Sequence, residues 1–382
     1  MKKIIEQAFT VPFSYQVCFT ENIFDKNNRT LATLLNNGKN AKAYFVVDEG
    51  VVEAHPDLLE QIKSYSESFK TAFTLCADPL IVPGGERAKN EQAHFRAILD
   101  ATSTYGIDRH SYIVAIGGGA VIDMAGFASA IAHRGIRHIR IPTTVLAQND
   151  AAIGVKNGIN SFGKKNYLGS FAPPYAVIND SAFLKTLSDR DWRSGISEAI
   201  KVALIKDPEF YEWIEQNATL LSGRDMGTME ELIYRCAQLH LDHIAGKDPF
   251  EFGSSRPLDF GHWAAHKLEH LTKFSVRHGE AVAIGIALDS TYSWLKGMLS
   301  EEHLKRIVHL IKALGFDLYV SELSGEALLK GLEEFREHLG GELTIMLLED
   351  IGKGVEVHEM DGELILQSVE KLKSFTEENI AV

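Results

Sequence analysis

Histidines and carboxylates recur in this sequence at spacings that suit metal chemistry. His262 and His266 lie four residues apart in a segment with helical periodicity, so their side chains share one face. His278 follows at the start of another apolar helical segment, and Glu198 and Lys201 lie three residues apart in an earlier one. Imidazoles and one carboxylate suit Zn²⁺ or a related divalent ion with an open coordination position. The pattern predicts a metal site, with chance spacing among the 15 histidines as the alternative.

A run of three glycines beginning at Gly117 follows the apolar stretch Tyr112–Ile116 and precedes a helical pattern that contains Asp123. Glycines there let the backbone approach a pyrophosphate, and the helix N-terminus supplies amide donors and a favourable dipole. The spacing GGGxxxD differs from the usual dinucleotide fingerprint, so a tight strand-to-helix turn stays open as the alternative. Asp48, at the end of an earlier β-rich run, could accept a hydrogen bond from a ribose hydroxyl.

Basic residues cluster around glycine turns between positions 134 and 165 of an otherwise acidic chain. They are Arg134, Arg137, Arg140, Lys156, Lys164 and Lys165, with Asn166 next in sequence. Clustered cations suit a phosphate dianion, which takes several charge-assisted hydrogen bonds at once. The sequence therefore predicts a phosphate site here, with a solvated basic loop as the alternative.

Two kinds of scaffold must position these residues. The first half alternates β-rich runs with helical patterns and glycine turns, which predicts an α/β domain with a mainly parallel sheet. Its predicted strands are Lys42–Asp48, Tyr112–Gly117, His138–Pro142 and Tyr175–Asn179.

From about Leu187 the pattern becomes helical, because apolar residues recur at spacings of three and four. The helical segments cover residues 190–206, 228–246, 260–273, 279–298 and 301–314, and Leu343–Leu348 begins a late strand pair. We therefore predict an α/β domain over residues 1–187 and a mainly α-helical domain over residues 188–382.

Composition narrows the class of protein. Asp plus Glu number 52 against 39 Lys plus Arg, a net charge of −13 that repels nucleic acid and anionic membranes, so neither is an expected partner. Cys18, Cys76 and Cys236 lack a CxxC pattern, which argues against a disulfide framework or a zinc ribbon. The first residues lack an apolar core of signal-peptide length, and Ser111–Ala132 is interpreted as a buried strand, turn and helix. We expect a soluble, cytoplasmic protein.

Seven motifs occur in one order along the chain. They are PGGERAK (83–89), GGGAVIDMAGF (117–127), RGIRHIRIPTTVLAQNDAAIGVKNGIN (134–160), GKKN (163–166), SEAIK (197–201), DFGHWAAHKLE (259–269) and HGEAVAIGI (278–286). The series closely resembles the dehydroquinate synthase family of sugar phosphate cyclases, continuously over roughly residues 40–290. This resemblance implies a Rossmann-like NAD-binding domain of α/β class, a mainly α-helical metal- and substrate-binding domain, an active site between them and a homodimer.

Matched position by position, the resemblance also implies site residues. The family's metal ligands, for Zn²⁺ or Co²⁺, fall on Glu198, His262 and His278. Its NAD contacts fall on Asp48, Glu86, Lys89, Gly118, Gly119, Asp123, Thr143 and Thr144. Its phosphate and catalytic positions fall on Asp150, Lys156, Lys165, Asn166, Lys201 and His266. Arg134 matches an arginine that reaches the phosphate in the neighbouring subunit's site.

The implied reaction leaves NAD unchanged overall. Hydride passes from a ring carbinol to NAD, phosphate leaves by elimination, hydride returns, and the opened ring closes to a carbocycle by an intramolecular aldol step. Lys156, Asn166, Lys201 and His266 would hold the departing phosphate, which can itself act as the base.

The substrate-binding positions depart from dehydroquinate synthase. The arginine that pairs with the substrate carboxylate is replaced by Ser255, with Arg256 one residue away, and the asparagine by Asp259. The family's upstream lysine aligns with His240 or a neighbour, and its C-terminal lysines align loosely with residues 335–337. A carboxylate would therefore be poorly paired and would face the like charge of Asp259.

These departures predict a seven-carbon sugar phosphate without a carboxylate, such as sedoheptulose 7-phosphate, with Asp259 accepting hydrogen bonds from its hydroxyls. The alternative is a divergent 3-dehydroquinate synthase that acts on 3-deoxy-D-arabino-heptulosonate 7-phosphate, with a nearby arginine compensating. A metal-dependent polyol dehydrogenase also uses a GGGxxxD loop, but it needs no phosphate cradle. A non-catalytic nucleotide-binding protein is the remaining alternative.

Overall fold

The computed structural model describes residues 3–36, 38, 40–246, 248–250, 257–338 and 341–377 of the 382-residue chain. The chain forms two compact units, Met1–Ile141 with Val155–Asn179, and Pro142–Gly154 with Asp180–Val382. It therefore passes from one unit to the other three times. The domain boundary expected near residue 187 stays a prediction.

The first unit is built on a seven-stranded sheet and a two-stranded hairpin. The strands are β1 (Gln16–Thr20), β2 (Ala41–Asp48), β3 (Phe73–Leu75), β4 (Leu80–Val82), β5 (Tyr112–Gly117), β6 (Arg137–Pro142), β7 (Lys156–Ser161), β8 (Lys164–Phe171) and β9 (Ala176–Asp180). The sheet order is β1-β9-β6-β5-β2-β3, and β4 also pairs with β2. β2 runs parallel to β3, β4 and β5, and β6 runs parallel to β9, while β7 and β8 form the antiparallel hairpin.

The register of the sheet brings two predicted ligand-binding positions together. Val47 of β2 is opposite Ile116 of β5, so Asp48 and the glycine run from Gly117 leave the same edge of the sheet. The carboxyl edge of a parallel sheet is where ligands bind in open α/β folds. β5 is fully buried and leads into a mostly buried helix, which confirms the strand–turn–helix interpretation of Ser111–Ala132.

Helices accompany the sheet of the first unit. They are α1 (Thr30–Leu35), α2 (Glu49–Ala54), α3 (Leu58–Ser68), α4 (Glu86–Asn90), α5 (Gln92–Thr104) and α6 (Gly119–Ile131), followed by a short 3₁₀ turn at Ala132–Arg134. Asp48 caps α2, because its side chain accepts a hydrogen bond from the Gly50 N–H.

The second unit is mainly α-helical. Its helices are α7 (Asp189–Ser194), α8 (Ile196–Lys206), α9 (Pro208–Gln216), α10 (Ala218–Ser222), α11 (Met226–Ile244), α12 (His262–Leu271), α13 (His278–Leu295), α14 (Glu301–Ala313), α15 (Glu326–His338) and α16 (Gly362–Glu377). Shorter turns lie at Ala147–Ala151 (π-helical), Ser181–Thr186, Pro257–Asp259 and Ser321–Leu323. The predicted late strand pair is β10 (Ile345–Asp350) with β11 (Lys353–Val357), antiparallel.

α13 lies at the centre of this unit. It is buried along nearly its whole length, as expected of a helix that is apolar on every side. The segment 190–206, predicted as helical, is two helices, α7 and α8, that meet at Gly195. The predicted fold class, an α/β domain with a mainly helical second domain, is confirmed. Within the described residues, no helix combines the length and apolar character needed to cross a bilayer.

Candidate active site

Three side chains predicted as metal ligands converge in the second unit. The Oε1 atom of Glu198 lies 3.3 Å from Nε2 of His278 and 3.6 Å from Nε2 of His262. One ligand atom from each of the three residues falls within 4.8 Å of the others. Tetrahedral zinc with bonds of about 2.0–2.1 Å places neighbouring ligand atoms about 3.3–3.4 Å apart. The three side chains therefore already have nearly the spacing that a bound divalent ion requires.

Helix starts position the three candidate ligands. Glu198 lies in the first turn of α8, and His262 and His278 are the first residues of α12 and α13. The Arg277 N–H donates to Oε2 of Glu280 at 2.9 Å, which helps to define where α13 begins. Small shifts in where a helix begins would therefore move a ligand.

Each imidazole is oriented through its second nitrogen. Nδ1 of His262 lies 3.1 Å from the carbonyl oxygen of Phe260, and Nδ1 of His278 lies 3.1 Å from Oε2 of Glu269. Both oxygens are acceptors, so each Nδ1 carries the proton and each Nε2 presents a lone pair to Glu198. Carboxylate–histidine–metal pairs of this kind are characteristic of metal sites.

The charge balance at Glu198 also fits a cation. The carboxylate is fully buried, and neither oxygen makes a hydrogen bond of normal geometry within the described part of the chain. Burial acts to raise the pKa of Glu198, but Lys201, His262 and His278 together hold it well below its usual range. Burial and the Lys201 ammonium lower the pKa of His262 well below its usual value, so this imidazole is neutral and available as a ligand.

Lys201 is almost completely buried and pairs with Glu198. Burial acts to lower its pKa, but Glu198, Asp150 and Asp259 raise it above the usual value. The ammonium therefore stays protonated among three carboxylates, which leave two surplus negative charges in this cluster. One divalent ion would balance them.

Asp150 and His240 form a second pair beside this cluster. Nδ1 of His240 lies 3.3 Å from Oδ1 of Asp150, and the buried Nε2 of His240 has no hydrogen-bond partner among the described residues. Burial lowers the pKa of His240, so the ring is neutral near pH 7. His266 completes the set, with its ring 5.5 Å from that of His262. Asp150, Lys201, Asp259 and His266 thus share one unit with the candidate metal ligands.

The predicted NAD contacts divide between the units. Thr143 and Thr144 belong to the second unit, where Thr143 is buried and the Thr144 hydroxyl accepts the Ala147 N–H at 3.1 Å. The other predicted contacts, Asp48, Glu86, Lys89, Gly118, Gly119 and Asp123, lie in the first unit.

Asp48 is held against the glycine loop. Burial raises its pKa, although the backbone N–H groups of Gly50, Gly118 and Val51 act in the opposite direction. A Cβ atom on Gly84 would lie 2.6 Å from Oδ1 of Asp48, so Asp48 can keep this position only while residue 84 is a glycine. Gly118 is the N-cap residue of α6, and Gly119 is the first residue of the helix. The helix therefore begins at the edge of the sheet where Asp48 lies.

Lys89 connects α4, α6 and the β7–β8 hairpin. Its Nζ atom lies 2.6 Å from Oδ2 of Asp123 and 2.6 Å from Oδ1 of Asn166. Glu86 lies 3.5 Å from Nζ of Lys165 and accepts a hydrogen bond from Asn160 at 2.7 Å. Predicted NAD contacts and predicted phosphate contacts therefore form one polar network in the first unit.

The predicted cluster of three arginines is wrong for two of its members. Arg137 stacks on Tyr112 and Tyr175, with its guanidinium carbon 5.2 and 5.4 Å from the ring centroids. Arg140 is fully buried and donates to Oδ1 of Asn157 at 2.8 Å. Arg140 therefore lies in the interior of the protein, and Arg137 is half-buried against two aromatic rings. Arg134 is exposed, as is Lys156 of the hairpin.

Other predicted substrate positions have mixed outcomes. Ser255 and Arg256 lie outside the described residues. Arg336 pairs with Glu333 on the surface of α15, and Phe335 is buried.

Sequence reasoning did not assign Glu269 or Asp289. Glu269 could have been found, because it lies three residues after His266 and seven after His262, on one helix face. The signal for Asp289 is weaker, a lone acidic residue inside the apolar stretch of α13.

Comparisons with known proteins agree with this geometry. The profiles for the N-terminal and C-terminal parts of 3-dehydroquinate synthase match residues 79–194 and 195–336. The 3-dehydroquinate synthase of Nitrosospira multiformis is 37% identical over 293 residues, covering 76% of this chain and 80% of that protein.

Two solved structures extend the comparison. The 2-epi-5-epi-valiolone synthase ValA of Streptomyces hygroscopicus subsp. jinggangensis 5008, solved with NAD⁺ and Zn²⁺ bound, has a TM-score of 0.88 at 28% identity, over 97% of this chain and 99% of that chain. A 2-deoxy-scyllo-inosose synthase complexed with carbaglucose-6-phosphate, NAD⁺ and Co²⁺ has a TM-score of 0.78 at 22% identity, over 94% and 96%, which shows a shared fold. The chain therefore belongs to the 3-dehydroquinate synthase family and is a sugar phosphate cyclase, an enzyme of the phosphate-eliminating lyase and cyclase class.

Proposed function

We propose that this enzyme uses NAD and one divalent metal ion, Zn²⁺ or Co²⁺, to cyclise a seven-carbon sugar phosphate that lacks a carboxylate, such as sedoheptulose 7-phosphate. The observation that carries the substrate proposal is Asp259, a carboxylate that acts on Lys201 where the family is expected to have an asparagine. The cofactor proposal is supported by the donor geometry at Glu198, His262 and His278 and by the NAD⁺ and metal bound in ValA.

Glu198, His262 and His278 would hold the metal, and the donor set fits it by type and spacing. The glycine loop with Asp48, together with the network around Lys89, would hold NAD in the first unit. When bound, the ion polarises a substrate hydroxyl and NAD accepts and returns a hydride.

The chain's own residues would then bind and orient the substrate. Lys201, protonated because of the carboxylates around it, would donate hydrogen bonds to the phosphate that leaves, together with His266. Asp150 would accept a hydrogen bond from a ring hydroxyl and is kept in place by the neutral His240. In the first unit, Lys156, Lys165 and Asn166 are further proposed phosphate contacts, and we propose that Arg134 serves a second copy of the chain in a homodimer.

Asp259 supports a substrate without a carboxylate. It interacts with Lys201, whose positive charge is already opposed by Glu198 and Asp150. A substrate carboxylate placed beside Asp259 would meet a like charge, and a poorly paired buried charge costs roughly 2–5 kcal/mol. Polyol hydroxyls, in contrast, can donate hydrogen bonds to Asp259 without adding charge.

A second candidate, 3-dehydroquinate synthase acting on 3-deoxy-D-arabino-heptulosonate 7-phosphate, is favoured by the names of the relatives at 31–37% identity. It requires a cation that pairs with the substrate carboxylate. Arg336, the described arginine in the loosely aligned segment, forms a surface ion pair with Glu333 instead.

The deciding experiment measures phosphate release from the purified enzyme with NAD⁺ and Zn²⁺ or Co²⁺, comparing the two seven-carbon substrates. We expect turnover of sedoheptulose 7-phosphate at constant total NAD⁺, and loss of turnover in Glu198→Gln. Turnover of the carboxylate substrate alone would assign the chain to 3-dehydroquinate synthase. Steady accumulation of NADH with a plain polyol, without phosphate release, would contradict the cyclase proposal itself.

A further inference from the structure

We propose that Asp289 is a positioning residue for the metal centre, because it holds the first turn of α12, which begins at His262, against α13, which begins at His278. The inference rests on the proposed metal function. Asp289 would set the distance between the proposed ligands His262 and His278 and would not itself bind the metal.

The two oxygens of Asp289 are both used in this contact. Oδ2 accepts the backbone N–H of Gly261 at 3.0 Å, and Oδ1 accepts the indole N–H of Trp263 at 2.9 Å. These donors come immediately before and after His262 in sequence. The carboxylate is fully buried, so neither hydrogen bond is exchanged readily with water.

A close backbone contact lies one turn away on α13. Gly261 has a φ of +76°, and a Cβ atom there would lie 2.7 Å from the backbone nitrogen of Ile286. A Cβ atom on Gly285 would lie 2.0 Å from the carbonyl oxygen of Gly261. The two helices therefore touch backbone to backbone where α12 begins, with no side chain to act as a spacer.

The helical period links this contact to the second ligand. Gly285 is seven residues and Asp289 eleven residues after His278, so all three lie along one stripe of α13. His278, at one end of the stripe, is a proposed metal ligand. Asp289, at the other end, holds the segment that contains His262, the second proposed histidine ligand. Movement of α12 away from this stripe would change the distance between the Nε2 atoms of His262 and His278.

The contact requires a carboxylate because two N–H donors converge on it. Asparagine offers one acceptor oxygen and would direct its NH₂ group at the other donor. Burial raises the pKa of Asp289 to about 7, so the interior disfavours the charged carboxylate that accepts both N–H groups. An alanine or leucine would avoid that cost but would leave both N–H groups without acceptors.

The test uses the full chain freed of metal by chelation and titrated with Co²⁺, monitored by visible absorption and by competition with a chelator. Metal sites tolerate errors of about 0.2 Å in ligand distance, and changes to residues supporting the ligands weaken binding about 10- to 100-fold. We expect Asp289→Asn to raise the Kd for Co²⁺ by about this factor and to alter the Co²⁺ absorption bands.

The matched control is Thr291→Val, two residues along the same buried helix. The Thr291 hydroxyl donates only within α13, to the Ala287 carbonyl at 2.7 Å, in the hydrogen bonds of the described chain. Unfolding of both variants by urea without metal gives the loss of stability to be compared. We expect Thr291→Val to change the Kd less than twofold, whereas a purely structural role would lower Co²⁺ affinity in both variants in proportion to lost stability.

A compensating variant tests the geometry. Trp263→Phe removes one of the two N–H donors, so in Asp289→Asn/Trp263→Phe the remaining acceptor can serve Gly261 without an opposed NH₂ group. We expect this double variant to bind Co²⁺ at least threefold more tightly than Asp289→Asn alone, a non-additive result that a general loss of packing does not produce. It also serves as the measured protein if Asp289→Asn fails to fold.

Wild-type Kd and absorption bands in Asp289→Asn would overturn the inference and leave the proposed metal function intact. Failure of the wild-type chain to bind Co²⁺, or binding that is unchanged in His262→Ala, would overturn both.

Discussion

Nδ1 of His278 lies 3.1 Å from Oε2 of Glu269, a carboxylate that is only 3% exposed. The same histidine presents Nε2 to Glu198, so one ring connects a candidate ligand with a buried acid behind it. His266, Glu269 and His278 also each bring one potential ligand atom within 4.8 Å of the other two. Glu269 is therefore either an orienting residue or a ligand, and the two roles can be separated.

Glu198→Gln and Glu269→Gln are expected to differ in metal content. Replacing Glu198 removes a ligand and should abolish stoichiometric binding, whereas replacing Glu269 should weaken binding about 10- to 100-fold because the imidazole loses its orienting acceptor. Equilibrium dialysis with Zn²⁺ followed by elemental analysis measures both. Complete loss of Zn²⁺ binding in Glu269→Gln, with binding retained in Glu198→Gln, would place the metal on His266, Glu269 and His278.

Gly84→Ala should weaken NAD binding. The new methyl group would overlap both oxygens of Asp48, which are 2.6 and 2.7 Å from the Cβ position, and would push that side chain from the glycine loop. We expect the Kd for NAD⁺, measured by isothermal titration calorimetry, to rise at least tenfold. Gly227→Ala is the control, because its Cβ would meet Oδ1 of Asp225 at an ordinary 3.7 Å. Equal affinities in the two variants would remove Asp48 from the NAD site.

Lys89→Met should destabilise the first unit. It leaves Asp123 and Asn166 without the ammonium that both contact, and breaking a largely buried pair costs about 3–5 kcal/mol. Because the Asp123 side chain is one-fifth exposed, we expect the free energy of unfolding in urea to fall by the lower of these values, about 3 kcal/mol. In a double-mutant cycle, Asp123→Asn should cost much less in the Lys89→Met background than in the wild type. Additive effects would show that the pair contributes no coupling energy.

Stability should depend on pH through Asp289. Its folded-state pKa of about 7 exceeds the unfolded value near 3.9, so between these values the folded chain holds a proton that the unfolded chain has lost. The contribution of this group to the free energy of unfolding is therefore largest below about pH 4 and falls, by roughly 4 kcal/mol in total, as the pH rises to about 7.

Urea unfolding of metal-free wild type and Asp289→Asn at pH 5 and pH 7.5 measures this effect. The wild type should lose more stability than the variant over this interval, because the variant lacks the titrating group. Parallel pH profiles would show that Asp289 keeps an ordinary pKa in the folded chain.

His240→Ala should lower kcat about 100-fold, because Asp150 loses the group that orients it and small displacements of a catalytic side chain have effects of this size. His240→Asn should retain more activity, since its amide nitrogen can take the place of Nδ1 opposite Oδ1 of Asp150. Phosphate release with varied substrate separates kcat from KM. Indistinguishable losses in the two variants would mean that the imidazole has a role other than holding Asp150.

The sequence by itself determined what depends on local pattern and on motif order. The predicted strand Lys42–Asp48 is observed as Ala41–Asp48, and Tyr112–Gly117 is observed with the same bounds. The seven motifs led to the family, which the profile matches confirm. Short-range periodicity and ordered motifs can be recognised from the sequence alone, because residues that are neighbours in a helix or strand are also close in sequence.

The tertiary structure decided which charged side chains lie near a candidate site and which lie in the core. The sequence predicts Arg140 as a phosphate contact, but β6 directs its side chain into the interior beside Asn157. Glu269 is 9 residues from the histidine that it contacts, and Asp289 is 26–28 residues from the two groups that it contacts. Burial and hydrogen-bond partners depend on how separate elements pack, and no local pattern encodes that packing. The candidate ligands were therefore predictable from the sequence, whereas the contacts that Glu269 and Asp289 make became visible only in three dimensions.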